Sequence, residues 1–179
     1  MNKMKNVLVI YQSSYGSTKS YVDEMQKQLG ADIVSYKDVK KADIESHQVI
    51  VIAGSVRISK LKIVKKLKKY LDLLNDKSLY LFAVGLMEDP KEALESLKKN
   101  NPILEDYEFE GIYYGPGKFD VEEMAWFHRK LFSFLGKSLK NKENLSDDDR
   151  QFLHAIEHGA DHRDMSLVEP LVESIKKAS

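Results

Sequence analysis

Apolar residues fall along this chain in two rhythms. Short unbroken runs alternate with longer stretches in which apolar side chains return every three or four positions. The first rhythm belongs to strands buried on both faces, the second to amphipathic helices. Residues 6–11 (NVLVIY), 47–53 (HQVIVIA), 78–85 (SLYLFAVG) and 109–114 read as strands. Residues 32–36 read as a shorter, more polar strand nearer a sheet edge. Between these lie helical stretches. Residues 17–29 carry Tyr21, Val22, Met25 and Leu29 on one face and end at Gly30. Residues 60–74 carry Leu61, Val64, Leu67, Leu71 and Leu74 on one stripe, with a lysine-rich opposite face that reads as solvated. Asp89-Pro90 opens a short helix through residue 99. This alternation predicts a doubly wound parallel sheet with helices on both faces.

After the fifth strand the alternation stops. Residues 121–139 and 147–158 read as helices, the second behind a Ser146 cap. The last helix, 167–177, places Leu167, Val168, Leu171, Val172 and Ile175 on its apolar face, with Ser166 and Glu169 at capping-box spacing. There is no repeat and no low-complexity linker. Residues 117–161 are therefore expected to be a helical insertion within one domain spanning 1–179. The helix 121–139 carries Met124, Trp126, Phe127, Leu131, Phe132, Phe134 and Leu135, more than one stripe. These residues either pack on the second inserted helix or leave an apolar patch. Such a patch could receive a hydrophobic substrate, a quinone, a membrane surface or a second copy of the chain in a homodimer.

Composition narrows the picture. Lys plus Arg number 28 and Asp plus Glu number 28, so the formal net charge is zero and no basic excess points to nucleic acid. The absence of cysteine excludes disulfides, thiolate nucleophiles and cysteine-ligated metals or clusters, and fits a reducing compartment. The apolar stretch at 7–11 is too short for a signal-peptide core, and no run is long enough to span a bilayer. A soluble cytoplasmic protein is the expectation.

The most informative chemistry lies in Tyr11-Gln12-Ser13-Ser14-Tyr15-Gly16-Ser17-Thr18, between a buried strand and a helix. A helix start offers unpaired N–H groups and a partial positive charge. Hydroxyls add donors, and glycine lets the backbone come close. Together these make a phosphate site without a lysine. There is no Gly-Lys-Ser/Thr ending, as a Walker loop has, and no G-x-G-x-x-G dinucleotide fingerprint. The competing reading is a helix-capping cluster with no ligand. In a doubly wound sheet the ligand lies where the strand order reverses, at the carboxyl ends of the strands. The segment after the third strand is Ala53-Gly54-Ser55-Val56-Arg57-Ile58, and that after the fourth is Val84-Gly85-Leu86-Met87. One loop for a phosphate and two for a planar ring is the division a mononucleotide flavin needs. A second motif, His154-Ala155-Ile156-Glu157-His158 with His162 beyond, has the spacing of some zinc peptidases. The helix is short and borders a glycine, so no metal is assigned to it.

Those loops resemble the flavodoxin family. Residues 11–18 are similar to its phosphate-loop signature, with Val22 where a small residue is usual. Within the family the chain resembles the flavodoxin-type, menaquinone-dependent protoporphyrinogen oxidases and their uncharacterised relatives. The features that carry this are Ala53-Gly54-Ser55-Val56-Arg57, the long insertion after the fifth strand, and Asp161 and Arg163 in the stretch before the last helix. The resemblance implies a three-layer α/β/α fold with five parallel strands in the order 2-1-3-4-5. It implies FMN, with Ser13, Ser14, Tyr15, Gly16, Ser17 and Thr18 at the phosphate. Gly54, Ser55, Val56, Arg57, Ile58, Val84, Gly85 and Leu86 would cover the ring. Arg57 would tune the flavin, and its alternative is a solvated or carboxylate-paired arginine. An FMN-dependent oxidoreductase with a small-molecule or quinone partner follows. An electron-transfer flavodoxin serving a redox protein, and a cofactor-free binding protein of the same fold, remain as alternatives.

Overall fold

The computed structural model describes residues 6–57, 59–122, 124 and 126–178. In chain order the elements are β1 (Val7–Gln12), α1 (Ser17–Leu29), β2 (Asp32–Ser35), α2 (Lys41–Glu45), β3 (Val49–Arg57), β4 (Lys60–Leu61) and α3 (Lys62–Leu67). They continue with α4 (Leu71–Asn75), β5 (Ser78–Gly85), α5 (Pro90–Asn100), β6 (Phe109–Pro116), β7 (Lys118–Phe119), α6 (Trp126–Lys140), α7 (Asp147–His158), β8 (Ala160–Asp161) and α8 (Glu169–Ala178). The chain forms two compact units, one of Met1–Gly117 with Arg163–Ser179, the other of Lys118–His162.

In the first unit five strands run parallel in the order β2-β1-β3-β5-β6, which is 2-1-3-4-5 when the parallel strands alone are counted. Ile52 sits at the centre of the register, beside Ile10 on one side and Leu81 on the other. Alternate residues of each strand enter opposite layers, because side chains on a pleated strand alternate in direction. Leu8, Ile10, Ile50, Ile52, Leu79 and Leu81 pack with Val64 and Leu67 of α3 and Leu97 of α5. Val7, Val9, Val51, Tyr80 and Phe82 pack with Tyr21, Val22, Met25 and Leu29 of α1 and Leu171, Val172 and Ile175 of α8. Helices thus cover both faces.

Three local departures from the sequence pattern matter. β3 does not stop at residue 53. It continues to Arg57 and turns back through β4, pairing Val56 with Leu61 and Arg57 with Lys60. The segment read as a loop is strand because the hairpin supplies its outer backbone partners. The stretch 60–74 is not one helix but β4, α3, a 3-10 turn at Lys68–Tyr70 and α4. Lys62, Lys65, Lys66, Lys68 and Lys69 repeat like charges at three- and four-residue spacing, which weakens a continuous helix. Buried Asn101 fixes the hairpin instead. Its side chain accepts from the Leu61 N–H at 2.9 Å and donates to the Ser59 and Leu97 carbonyls, each at 2.8 Å. At the C-terminus, Asp164 rather than Ser166 is the cap. It accepts from the Ser166 N–H at 2.9 Å and starts a 3-10 turn, Met165–Val168, that leads into α8.

In the second unit β7 and β8 pair antiparallel, Lys118 with Asp161 and Phe119 with Ala160, so the segment enters and leaves side by side. α6 starts at Trp126, later than the pattern suggested. Before it, the Asp120 carboxylate accepts from the Glu122 N–H at 3.0 Å in a turn. The Phe119 ring meets Phe132 at 5.0 Å and Phe152 at 6.3 Å. Gly136 of α6 faces Ile156 and Leu153 of α7. Lys140 pairs with Glu157 and Lys142 with Asp149, each at 2.5 Å. The Ser146 cap is present as expected, with Asp149 completing a capping box. The side chain of Phe127 lies outside those described. No helix among the described residues is long and apolar enough to cross a membrane.

Candidate functional site

The carboxyl edge of the first unit's sheet is shaped by how β1 passes into α1. Gly16 sits immediately before the helix with φ 87° and ψ −25° and makes no side-chain cap. This left-handed geometry disfavours any residue with a Cβ. A Cβ added there would meet nothing within 4 Å, so the demand is conformational and the space above the loop is open. The turn is closed from within. Ser13 Oγ accepts from the Lys19 N–H at 3.3 Å, and the Ser20 N–H donates to the Gly16 carbonyl at 3.0 Å. The positive end of α1 therefore opens where β1 and β3 diverge.

Thr18 is 1% exposed, and its Oγ1 lies 2.9 Å from Ser55 Oγ. Ser55 Oγ in turn donates to the Gln12 carbonyl at 3.3 Å. Two residues that the sequence assigned to different loops are joined to each other, and they fasten α1 to β3 and β1. Gly54 and Gly85 also have internal reasons to be small. A Cβ at Gly54 would lie 2.5 Å from Ile63 Cγ2, and one at Gly85 would lie 2.8 Å from Tyr114 Oη.

Tyr15 and Arg57 come together. The guanidinium lies over the Tyr15 ring, 4.8 Å from its centroid, a cation–π contact that links the α1 loop to the β3–β4 hairpin. Val56 packs on the core beneath. Val84 is buried, whereas Leu86 and Met87 beyond it are exposed. Tyr114 Oη donates to the Met87 carbonyl at 3.0 Å and steadies this loop. Burial pushes the Tyr114 hydroxyl well above its ordinary pKa, so it stays a donor. Ser14 and Ser17 lie in the loop and at the first residue of α1. Ile58 falls outside the described residues.

Several residues have organising roles that the sequence reading did not assign. Gln12 Oε1 is buried with no hydrogen-bond partner among the described residues. Tyr21 is fully buried, with its ring 5.1 Å from Phe82. Its hydroxyl donates to the Pro116 carbonyl at 2.7 Å and accepts from the Asp164 N–H at 3.1 Å. Arg163 donates to Ser20 Oγ at 2.9 Å. Gly117 donates to the Gly85 carbonyl at 2.7 Å, and a Cβ on it would press on Ser17. The compact Gly115-Pro116-Gly117 run was the available signal for this closure. In the second unit the His154 and His158 rings stack at 4.5 Å. Lys140 holds the Glu157 carboxyl below its ordinary pKa. Among the described residues no group of three or more metal-ligating side chains is assembled.

This strand order, with helices on both faces, defines a doubly wound α/β protein. The family model described as a flavodoxin domain matches residues 8–146, and the chain belongs to that family. No curated protein sequence matches it. Among solved structures it is similar to two-electron reduced Megasphaera elsdenii flavodoxin, at 21% identity over 60% of this chain and 84% of that one, with TM-score 0.48. It is also similar to a flavodoxin, WrbA-like protein from Agrobacterium tumefaciens, at 14% identity over 69% and 87%, with TM-score 0.49. A third is the Trp repressor binding protein from Bacillus subtilis, at 18% identity over 63% and 85%, with TM-score 0.47.

Proposed function

We propose that the chain is an FMN-dependent oxidoreductase, of the protoporphyrinogen oxidase-like type, with a quinone or another small acceptor as redox partner. The observation that carries this is the left-handed turn at Gly16, with open space above it, at the start of α1 where the strand order reverses. The fit to a mononucleotide has a second support in Gln12 Oε1, a buried acceptor in want of a donor such as a sugar-alcohol hydroxyl.

Bound FMN would supply hydride or electron transfer at its ring. The chain's own residues do the rest. Ser13, Ser14, Tyr15, Gly16, Ser17 and Thr18 hold the phosphate, mainly through main-chain amides and the helix end. Thr18 acts through Ser55, fixing the phosphate grip at a set distance from the ring-side segments. Gly54, Ser55, Val56 and Arg57, with Val84, Gly85 and Leu86, would border the ring. Arg57, held over the Tyr15 ring, would supply a cation that favours negative charge on the bound ring. Exposed Leu86 and Met87 give an apolar approach for a substrate. We take the setting to be cytoplasmic.

The test has two stages. Mass analysis of the molecule that co-purifies should identify FMN. Saturation at a hundredfold excess over Kd should raise unfolding stability by about 2.7 kcal/mol. Reduced holoprotein should then be reoxidised by a soluble quinone without any partner protein. A protein that carries flavin but passes electrons only to another protein would make it a carrier instead.

A further inference from the structure

The second unit has one helix whose outer face is unusual. α6 reads WFHRKLFSFLGKSLK, with four Lys or Arg residues and no carboxylate, although the whole chain is neutral. At about 100° per residue, positions 126, 130, 131, 134 and 137 share an arc of about 140°. Trp126 is 63% exposed, Phe134 69% and Leu131 44%, and Lys130 and Lys137 are exposed among them. The Lys130 ammonium lies over the Trp126 ring, 4.9 Å from its centroid. The other side of α6, with Phe132 and Gly136, is taken up by α7. Lys140 is occupied by Glu157. Arg129, Lys130 and Lys137 are exposed on the helix.

We propose that this face of α6 docks on an anionic lipid surface. Trp126, Leu131 and Phe134 enter the boundary between headgroups and acyl chains, while Lys130 and Lys137 meet lipid phosphates. A helix that interleaves aromatic and basic residues lies in that boundary, its apolar side buried and its cations at the headgroups. Charge decides between this and a second copy. Two α6 faces would bring Lys130 and Lys137 against their equivalents, and protein interface cores are depleted of such charges. An acidic bilayer complements them. At the start of α7, Asp149 pairs with Lys142 and not with a cation of this face. The inference stands on α6 alone and does not depend on flavin binding.

Trp126 is the only tryptophan in the chain, so it reports on its own environment. The full chain is mixed at low ionic strength with vesicles of phosphatidylcholine alone, or of phosphatidylcholine with phosphatidylglycerol. Only the anionic vesicles should shift Trp126 emission to shorter wavelength and sediment the protein, and added salt should reverse both. Lys130→Gln and Lys137→Gln should each lower the partition about fivefold. Phe134→Ser should weaken it while leaving the circular dichroism unchanged. Unaltered emission and no sedimentation with anionic vesicles would overturn the proposal. So would equal binding to both vesicles, or a lipid-free shift that grows with protein concentration, which would mark a dimer face.

Discussion

α1 and α6 are both amphipathic helices rich in aromatic or large apolar residues, yet they end up in opposite situations. α1 buries Tyr21, Val22, Met25 and Leu29 almost completely against the sheet. α6 gives one side to α7 and leaves Trp126, Leu131 and Phe134 in solvent. The difference lies in the partner. A five-stranded sheet offers a wide surface with a fixed register, so every apolar position on α1 has somewhere to go. α7 offers a single narrow stripe, and Trp126, Leu131 and Phe134 stay exposed on α6. Apolar periodicity thus tells where a helix forms, and the partner's width decides how much of it is buried.

The contrast can be broken most severely at Tyr21. Tyr21→Ala removes a buried ring and the hydroxyl that ties β6 and Asp164 to α1, and should cost about 3–5 kcal/mol in urea unfolding. A loss under 1 kcal/mol would mean that α1 is not anchored as described. Next is Gly54→Ala, whose Cβ would lie 2.5 Å from Ile63 Cγ2. It should cost about 1–3 kcal/mol by overpacking. Combining it with Ile63→Ala should give less than the sum of the two losses. In the second unit, Ser146→Ala should cost about 1 kcal/mol through loss of the α7 cap, read by hydrogen exchange of the first turn of α7.

That cap also has a pH signature. Lys142 and Ser146 hold the Asp149 carboxyl below its ordinary 3.8. The folded state therefore binds this proton less readily than the unfolded chain. Its contribution is present above pH 3.8 and fades as the pH falls through the folded-state value. Exchange in α7 should speed up in that acid range, and Lys142→Met should blunt the change. The smallest effect is expected at Phe134→Ser, on the exposed face of α6, within about 0.5 kcal/mol. A larger loss would show that this face is covered.

The parallel strands and both buried layers were legible because parallel strands need unbroken apolar runs, and α1 has an unambiguous stripe closed by Gly30; the strand order came only with the family resemblance. The helix caps at Asp89 and Ser146 were legible for the same local reason, since a side chain answers an orphan amide within three residues. Long-range facts were not. Nothing near Thr18 announces Ser55, and nothing near Gly54 announces Ile63. A small residue beside a candidate ligand loop invites a ligand explanation, whereas here the neighbouring side chains already account for it. The β3–β4 hairpin was hidden because Leu61 fits a helical stripe as well as a strand pair. The pairing of Tyr15 with Arg57 joins the α1 loop to the β3–β4 hairpin and has no signature in either.

The account rests on a phosphate gripped at the start of α1, and the most direct test compares FMN with riboflavin. Flavin fluorescence titrations on the wild type and on Gly16→Ala would measure both affinities. FMN should bind the wild type far more tightly than riboflavin. Gly16→Ala, forced into a left-handed turn at a cost of about 1–2 kcal/mol, should weaken FMN about tenfold while changing riboflavin little. Equal affinity for FMN and riboflavin in the wild type, or no binding of either, would contradict it.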